Sequence, residues 1–229
     1  AGCSKRYKNM LGYTFGTGFG VGMIVNGQLN RGDNSCVETF CLPHKLKDGI
    51  IAEEGVAVRA IKRVYAEESG DTDHNYEPKD ICEIADGKRP GDVEAAKKAF
   101  AEFGEIAGDS MAIAVQLVDG IIVIGGGITA ARHLILPSLL KELRTELKTL
   151  GGDSVRRVQM DVYYLDDPEQ FAEFARSSGK KIKVRGTDKE VEYDDHKRIG
   201  VTFSRLGASR AISAGAYAFA LDQLDSKAK

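Results

Sequence analysis

Apolar and polar positions change period several times along this chain, and each change predicts an element boundary. From 10 to 31 apolar and small residues alternate, the two-residue period of a strand, and Asn26-Gly27 between "GMIV" and "QLNRG" is a strong hairpin signal. The pattern predicts two or three antiparallel strands with a glycine-rich turn at 16–20. Residues 32–49 are irregular and polar, and apolar positions 51, 57, 58, 61, 64 and 65 then recur at helical spacing. After the polar break "GDTDHNYEPKD" a short helix is expected from Pro78 to Ala85. A longer one follows from Asp92, a natural N-cap, to Leu117.

The period then switches to a continuous apolar run, Ile121 to Ile124, which reads as a buried strand. A glycine triplet follows, then a helix over roughly 130–149 that Pro137 should kink or split. "SVRRVQMDVYYL" reads as one strand, "DPEQFAEFARSSG" as a helix opened by proline, and "KIKVRGTDKEVEYDD" as a polar hairpin around Gly186. "RIGVTFS" is a last strand, and "GASRAISAGAYAFALDQL" a small-residue helix able to pack closely on a neighbour. There is no internal repeat. A hairpin followed by α/β alternation predicts the α/β class: a mixed β-sheet with helices on both faces.

Composition adds mainly exclusions. The 229 residues are 42% apolar, enough for a substantial core, and 32 basic against 34 acidic residues leave a net charge of −2. No global field favours nucleic acid or an anionic membrane. With no long apolar run for a signal peptide or spanning helix, the chain reads as cytoplasmic with no membrane partner. Cys3, Cys36, Cys41 and Cys82 are too few and scattered for a disulfide framework.

Two glycine turns carry the candidate chemistry. Glycines cost backbone entropy within strands, so Gly16, Gly18, Gly20 and Gly22 between two apolar runs need a sharp turn or a close-approaching ligand to justify them. Gly16-Thr17-Gly18 lies between strands and lacks the Lys-Ser/Thr ending of a P-loop, yet converging amides and a hydroxyl can still hold phosphate there. Gly125-Gly126-Gly127 joins a strand to a helix start, a concave backbone suited to a nucleotide. It also reads as a bare tight turn, and "GGGITA" satisfies the G-x-G-x-x-A of a dinucleotide fold, which keeps an NAD(P)-binding oxidoreductase open. That fold wants an acidic residue ending the next strand, whereas Glu142 and Glu146 fall inside a helical pattern.

Taken together, "LGYTFGTGFGVGMIVNGQLNRG", "GIIVIGGGIT" and "LGASRAISAGAYAFAL" resemble the actin-like ATPase superfamily (ribonuclease H-like fold), and within it the ROK family of sugar kinases and repressors. The resemblance implies ATP with Mg²⁺. It assigns the β/γ phosphates to Gly16, Thr17 and Gly18, and adenine and ribose to Gly125, Gly126 and Gly127. It also implies a hexose or N-acetylhexosamine substrate contacted by Glu38, and a homodimer. A glucokinase-like enzyme is the leading expectation; a sugar-responsive repressor, which alone would bring in nucleic acid, is the alternative. On this reading residues 1–229 are the large C-terminal lobe, about 165–198 is an insertion, and the last helix contacts an N-terminal lobe outside this sequence.

The departures from the pattern matter as much. The family's first phosphate motif and its catalytic Asn-Asp pair have no counterpart before the Gly-Thr-Gly turn, so no catalytic residue is assigned here and the chain alone is expected to be inactive. Cys41 stands where a sugar-site His is expected, and the family's zinc loop is missing. Cys36, Cys41 and His44 have an unusual spacing for zinc, so loop thiols and a surface histidine are expected instead, with no metal ligand assigned. Asp109 reads as a solvated or capping carboxylate, Asp166 and Asp167 as an N-cap and its neighbour. His74, His133 and His196 show no ligand spacing and read as structural or exposed.

Overall fold

The computed structural model describes residues 7–177 and 179–227, so Cys3 lies outside the described residues. A six-stranded sheet in the order β3-β2-β1-β4-β10-β7 forms its centre. The strands β1 (Met10–Phe15), β2 (Phe19–Val25) and β3 (Gln28–Asn30) form an antiparallel meander. β4 (Ile121–Gly125), β7 (Asp161–Tyr164) and β10 (Arg198–Phe203) run parallel to β1. The mixed α/β sheet read from the sequence is therefore present. The β2–β3 turn takes left-handed geometry at both Asn26 (φ 54°) and Gly27 (φ 80°), as a two-residue hairpin demands.

Period-2 alternation decides which residues enter the core. Leu11, Tyr13 and Phe15 of β1 align in register with Ile122 and Ile124 of β4, and all five are buried on one face. Against that face lie α1 (Val58–Ser69), α2 (Pro78–Ala85), α3 (Val93–Val118) and α4 (Arg132–Leu143). Asp92 caps α3 by accepting the Ala95 amide at 3.0 Å. α3 and α4 nearly touch: a methyl at Gly104 would sit 2.3 Å from the Ile135 carbonyl oxygen, and one at Gly108 2.8 Å from that of Leu139. α5 (Pro168–Ala175) covers part of the other face, packing Phe174 on Ile121 and Leu165. Helices thus occupy both faces, unevenly.

The C-terminal helix α6 (Ala208–Lys227) leaves Ile212, Tyr217, Leu221 and Leu224 more than half exposed. No helix among the described residues is long and apolar enough to cross a membrane.

Three expectations need correction. The helix expected over 130–149 begins with a 3-10 turn at Gly127–Ala131 and ends at Leu143. Residues beyond it form a small hairpin, β5 (Glu146–Lys148) with β6 (Ser154–Arg156). Pro137 does not split α4, because Ile135, Leu139 and Leu143 are buried against α3; each such burial is worth about 1.5–3 kcal/mol against a proline cost of ~3 kcal/mol. "SVRRVQMDVYYL" divides into β6 and β7, since Arg157 between them turns inward. The polar hairpin is present as β8 (Lys180–Lys183) and β9 (Glu190–Tyr193), with Gly186 at φ 79°.

Candidate functional site

β1 and β4 are parallel neighbours with Thr14 beside Gly125, so both glycine turns leave the sheet side by side at the carboxyl edge of its strands. That edge is where open α/β sheets bind ligands. Gly126 is fixed by packing: its φ is 100°, and a methyl there would lie 2.1 Å from the Phe15 carbonyl oxygen. Gly127 differs, because a methyl would meet nothing within 4 Å. Gly125 would make only ordinary contacts, so the triplet has one glycine demanded by the fold and one facing open space.

The Gly16-Thr17-Gly18 turn links β1 to β2 and is held from outside. Glu53, in the 3-10 turn Ala52–Glu54, accepts the Phe19 amide at 2.9 Å. Arg59, in the first turn of α1, donates to Glu53 at 2.9 Å, to Glu54 at 2.7 Å and to the Thr17 carbonyl at 3.2 Å. The Val58 amide donates to the Gly16 carbonyl at 3.0 Å. Three groups therefore pin the loop's carbonyl side and its exit. Among the described residues the Thr17 and Gly18 amides make no hydrogen bond to the protein. The Phe19 amide, and after it the Arg59 guanidinium, hold the Glu53 carboxyl below the usual carboxylate range. A methyl at Gly18 would lie 2.7 Å from Glu53 Oε2 and would displace the end of the side chain that accepts the Phe19 amide.

Glu38 meets this loop. A cleft of about 380 Å³ is lined by Gly16, Thr17 and Gly18 together with Glu38, Phe40 and Glu53. Gly127 lies in a second pocket of about 330 Å³, between α2 and the start of α4, with Pro78, Cys82, Phe100, Ile128 and Ala131. A larger groove of about 880 Å³ runs over Ile121, Val123 and Thr202 on the other face of the sheet and holds none of the residues read as binding ones. Glu53 and Arg59 escaped the sequence reading: their only signal is an acidic pair, "AEEG", ahead of a helix.

The histidines and acids depart from expectation in specific ways. His44, read as a surface residue, is 5% exposed; its Nδ1 accepts the Leu46 amide at 3.1 Å, and burial lowers its pKa. Cys36 and Cys41 are exposed and form no ligand cluster with it among the described residues. Asp109 is not solvated: it is buried and accepts from Arg157 at 2.6 Å, and the same guanidinium binds Glu142 at 2.6 Å. Lys45 also pairs with Glu142 and bonds Glu105 at 2.8 Å. Asp167 caps α5 as read, accepting the Glu169 and Gln170 amides, while Asp166 ties to Thr202 and the Phe203 amide instead. His74 pairs with Asp71 at 2.9 Å and His196 with Asp161 at 2.8 Å. His133 pairs with Asp86 at 2.8 Å, and Cys82 stands beside them.

Comparison with known proteins completes the picture. No curated protein sequence matches the chain significantly. Among solved structures, a glucokinase from Parabacteroides distasonis is 51% identical, with a TM-score of 0.86, covering 94% of this chain and 59% of that one. The chain thus spans less than two thirds of that relative's length. At 20% identity the shared fold extends to a ROK hexokinase from Thermus thermophilus (TM-score 0.50, covering 62% of this chain and 50% of that one). It extends equally to a ROK family transcriptional regulator, a homolog of E. coli MLC (TM-score 0.53, 62% and 39%, again at 20% identity). The ROK family model matches residues 43–161, more than half of the sequence. With its actin-like sheet, its paired glycine turns and this match, the chain belongs to the ROK family.

Proposed function

We propose that this chain is the nucleotide-binding lobe of an ATP-dependent sugar kinase acting on a hexose or N-acetylhexosamine, working in the cytoplasm as a homodimer. The reading rests chiefly on one observation: the Gly16–Gly18 turn and Glu38 line a single cleft, so a phosphate loop and a carboxylate able to accept sugar hydroxyls face the same space. The 51% identity to a glucokinase supports it. The β/γ phosphates sit on the unengaged Thr17 and Gly18 amides, and the adenosine end enters the pocket at Gly127. Gly125 and Gly126 form the ledge between them. Phosphoryl transfer depends mainly on positioning and charge stabilisation, which preset backbone amides supply. The Glu38 carboxylate and Thr17 hydroxyl are oxygen donors suited to the Mg²⁺ that accompanies a triphosphate and neutralises its charge.

The chain holds no assigned general base. A second lobe brings the catalytic Asp and the first phosphate motif, and α6 with its exposed apolar side chains contacts that lobe. Closure of the two lobes on sugar excludes water from the transfer.

The test is an assay of ADP release by the whole protein over a panel of hexoses and N-acetylhexosamines. One sugar should drive turnover, and Glu38→Gln should raise its KM by about 10-fold or more, the loss of roughly 1.4 kcal/mol expected for a hydrogen bond to a charged group. Sugar binding without any turnover would instead indicate a repressor. No sugar dependence at all would overturn both readings.

A further inference from the structure

Cys82 on α2 and Asp86, the residue that caps the C-terminal end of that helix, are four residues apart, and both reach the start of α4, where His133 meets them. The Cys82 Sγ, one Asp86 carboxylate oxygen and one His133 ring nitrogen all lie within 4.8 Å of one another. All three residues also line the 330 Å³ pocket that contains Gly127. We propose that they form a site for a borderline transition-metal ion of the Zn²⁺ type, bridging α2 and α4 at the mouth of that pocket.

Thiolate, imidazole and carboxylate are the three ligand types Zn²⁺ takes, and three protein ligands leave a fourth position for water or an incoming ligand. Ligands of a tetrahedral zinc stand about 3.5 Å apart, so side-chain movements of about an ångström close the set. The His133–Asp86 hydrogen bond at 2.8 Å already brings two of them together. The other oxygen of Asp86 accepts from Lys88 at 2.8 Å, an outer partner that fixes the carboxylate's orientation. A hard ion such as Mg²⁺ would not select a set containing sulfur, so the donor atoms favour zinc or cobalt. This site differs from the Cys36, Cys41 and His44 loop, which forms no ligand cluster.

The assignment rests on the geometry of this cluster, and its test needs neither nucleotide nor turnover. The whole protein, stripped with a chelator, is titrated with Co²⁺ alone, and the thiolate-to-metal charge-transfer band is followed. One equivalent should bind with that band. Cys82→Ser should abolish the band, His133→Ala should weaken binding by about 10-fold or more, and Cys36→Ser with Cys41→Ser should change neither. Circular dichroism of each variant confirms folding, and Zn²⁺ should displace the cobalt. Absence of a band, or a band that survives Cys82→Ser, overturns the site.

Discussion

The Arg59 guanidinium donates to the Thr17 carbonyl at 3.2 Å while its other amino group binds Glu53 at 2.9 Å. One side chain thus joins the tip of the proposed phosphate loop to the carboxylate that holds the loop's exit. The Arg59 side chain is 46% exposed, so as an ion pair it contributes little to stability, about 1 kcal/mol at most. Its effect on loop shape is the larger one. Arg59→Ala should leave the urea midpoint nearly unchanged while weakening ATP binding by about 10-fold, equal to about 1.4 kcal/mol, in calorimetric titration. A fall in stability with undiminished ATP affinity would assign Arg59 to the scaffold alone.

Gly126 and Gly127 should respond oppositely to the same substitution. Gly126→Ala drives a methyl into the Phe15 backbone at a positive φ, and should cost about 3 kcal/mol or more in equilibrium unfolding. Gly127→Ala meets open space and should stay within about 0.5 kcal/mol of the parent. The second variant should nonetheless bind ATP more weakly if the adenosine end passes there. Equal stability losses would show that the turn differs from the one described.

Arg157 is the common partner of Asp109 and Glu142, whose side chains are 12% and 5% exposed. Arg157→Met leaves Asp109 without its cation in a buried place, and should destabilise by about 3–5 kcal/mol. Asp109→Asn in the same background should restore part of that loss, which a double-mutant cycle in urea would measure.

Much of this molecule was legible because local pattern and final structure agree. The Asn26-Gly27 turn, the Asp92 and Asp167 caps and the apolar run Ile121–Ile124 each announce an element that then forms. The failures share one cause, contacts between residues far apart in sequence. "LKELRTELKTL" has helical spacing, but Arg144 leaves the helix to donate to the Val162 carbonyl at 3.1 and 2.8 Å. Asp109 sits on a helix that reads as half solvated until Arg157, 48 residues away, is brought onto it. Glu53 and Arg59 could be recognised as loop latches only once the chain had folded Phe19 and Thr17 against them. The glycine turns stood out by the backbone entropy they cost and by their place between elements, whereas Glu38 was pointed to by the family resemblance alone.

The depressed Glu53 pKa has a pH consequence. A carboxylate whose pKa is lower folded than unfolded contributes stability that is fully present above its ordinary value of 4.5 and is lost as pH falls through the folded value. Below about pH 4.5 the parent should therefore lose stability more steeply than Glu53→Gln, whose side chain no longer titrates. Parallel stability curves for the two proteins across that range, measured by urea unfolding, would show that Glu53 is not stabilised by Phe19 and Arg59.

Two bare backbone turns at the ends of β1 and β4 are proposed to hold one nucleotide. The most direct test is a crystal structure of the whole protein with a non-hydrolysable ATP analogue and sugar. The β/γ phosphate oxygens are expected about 3 Å from the Thr17 and Gly18 amides, with the adenosine end against Gly127. An analogue bound away from both turns, with those amides still facing solvent, would contradict this proposal.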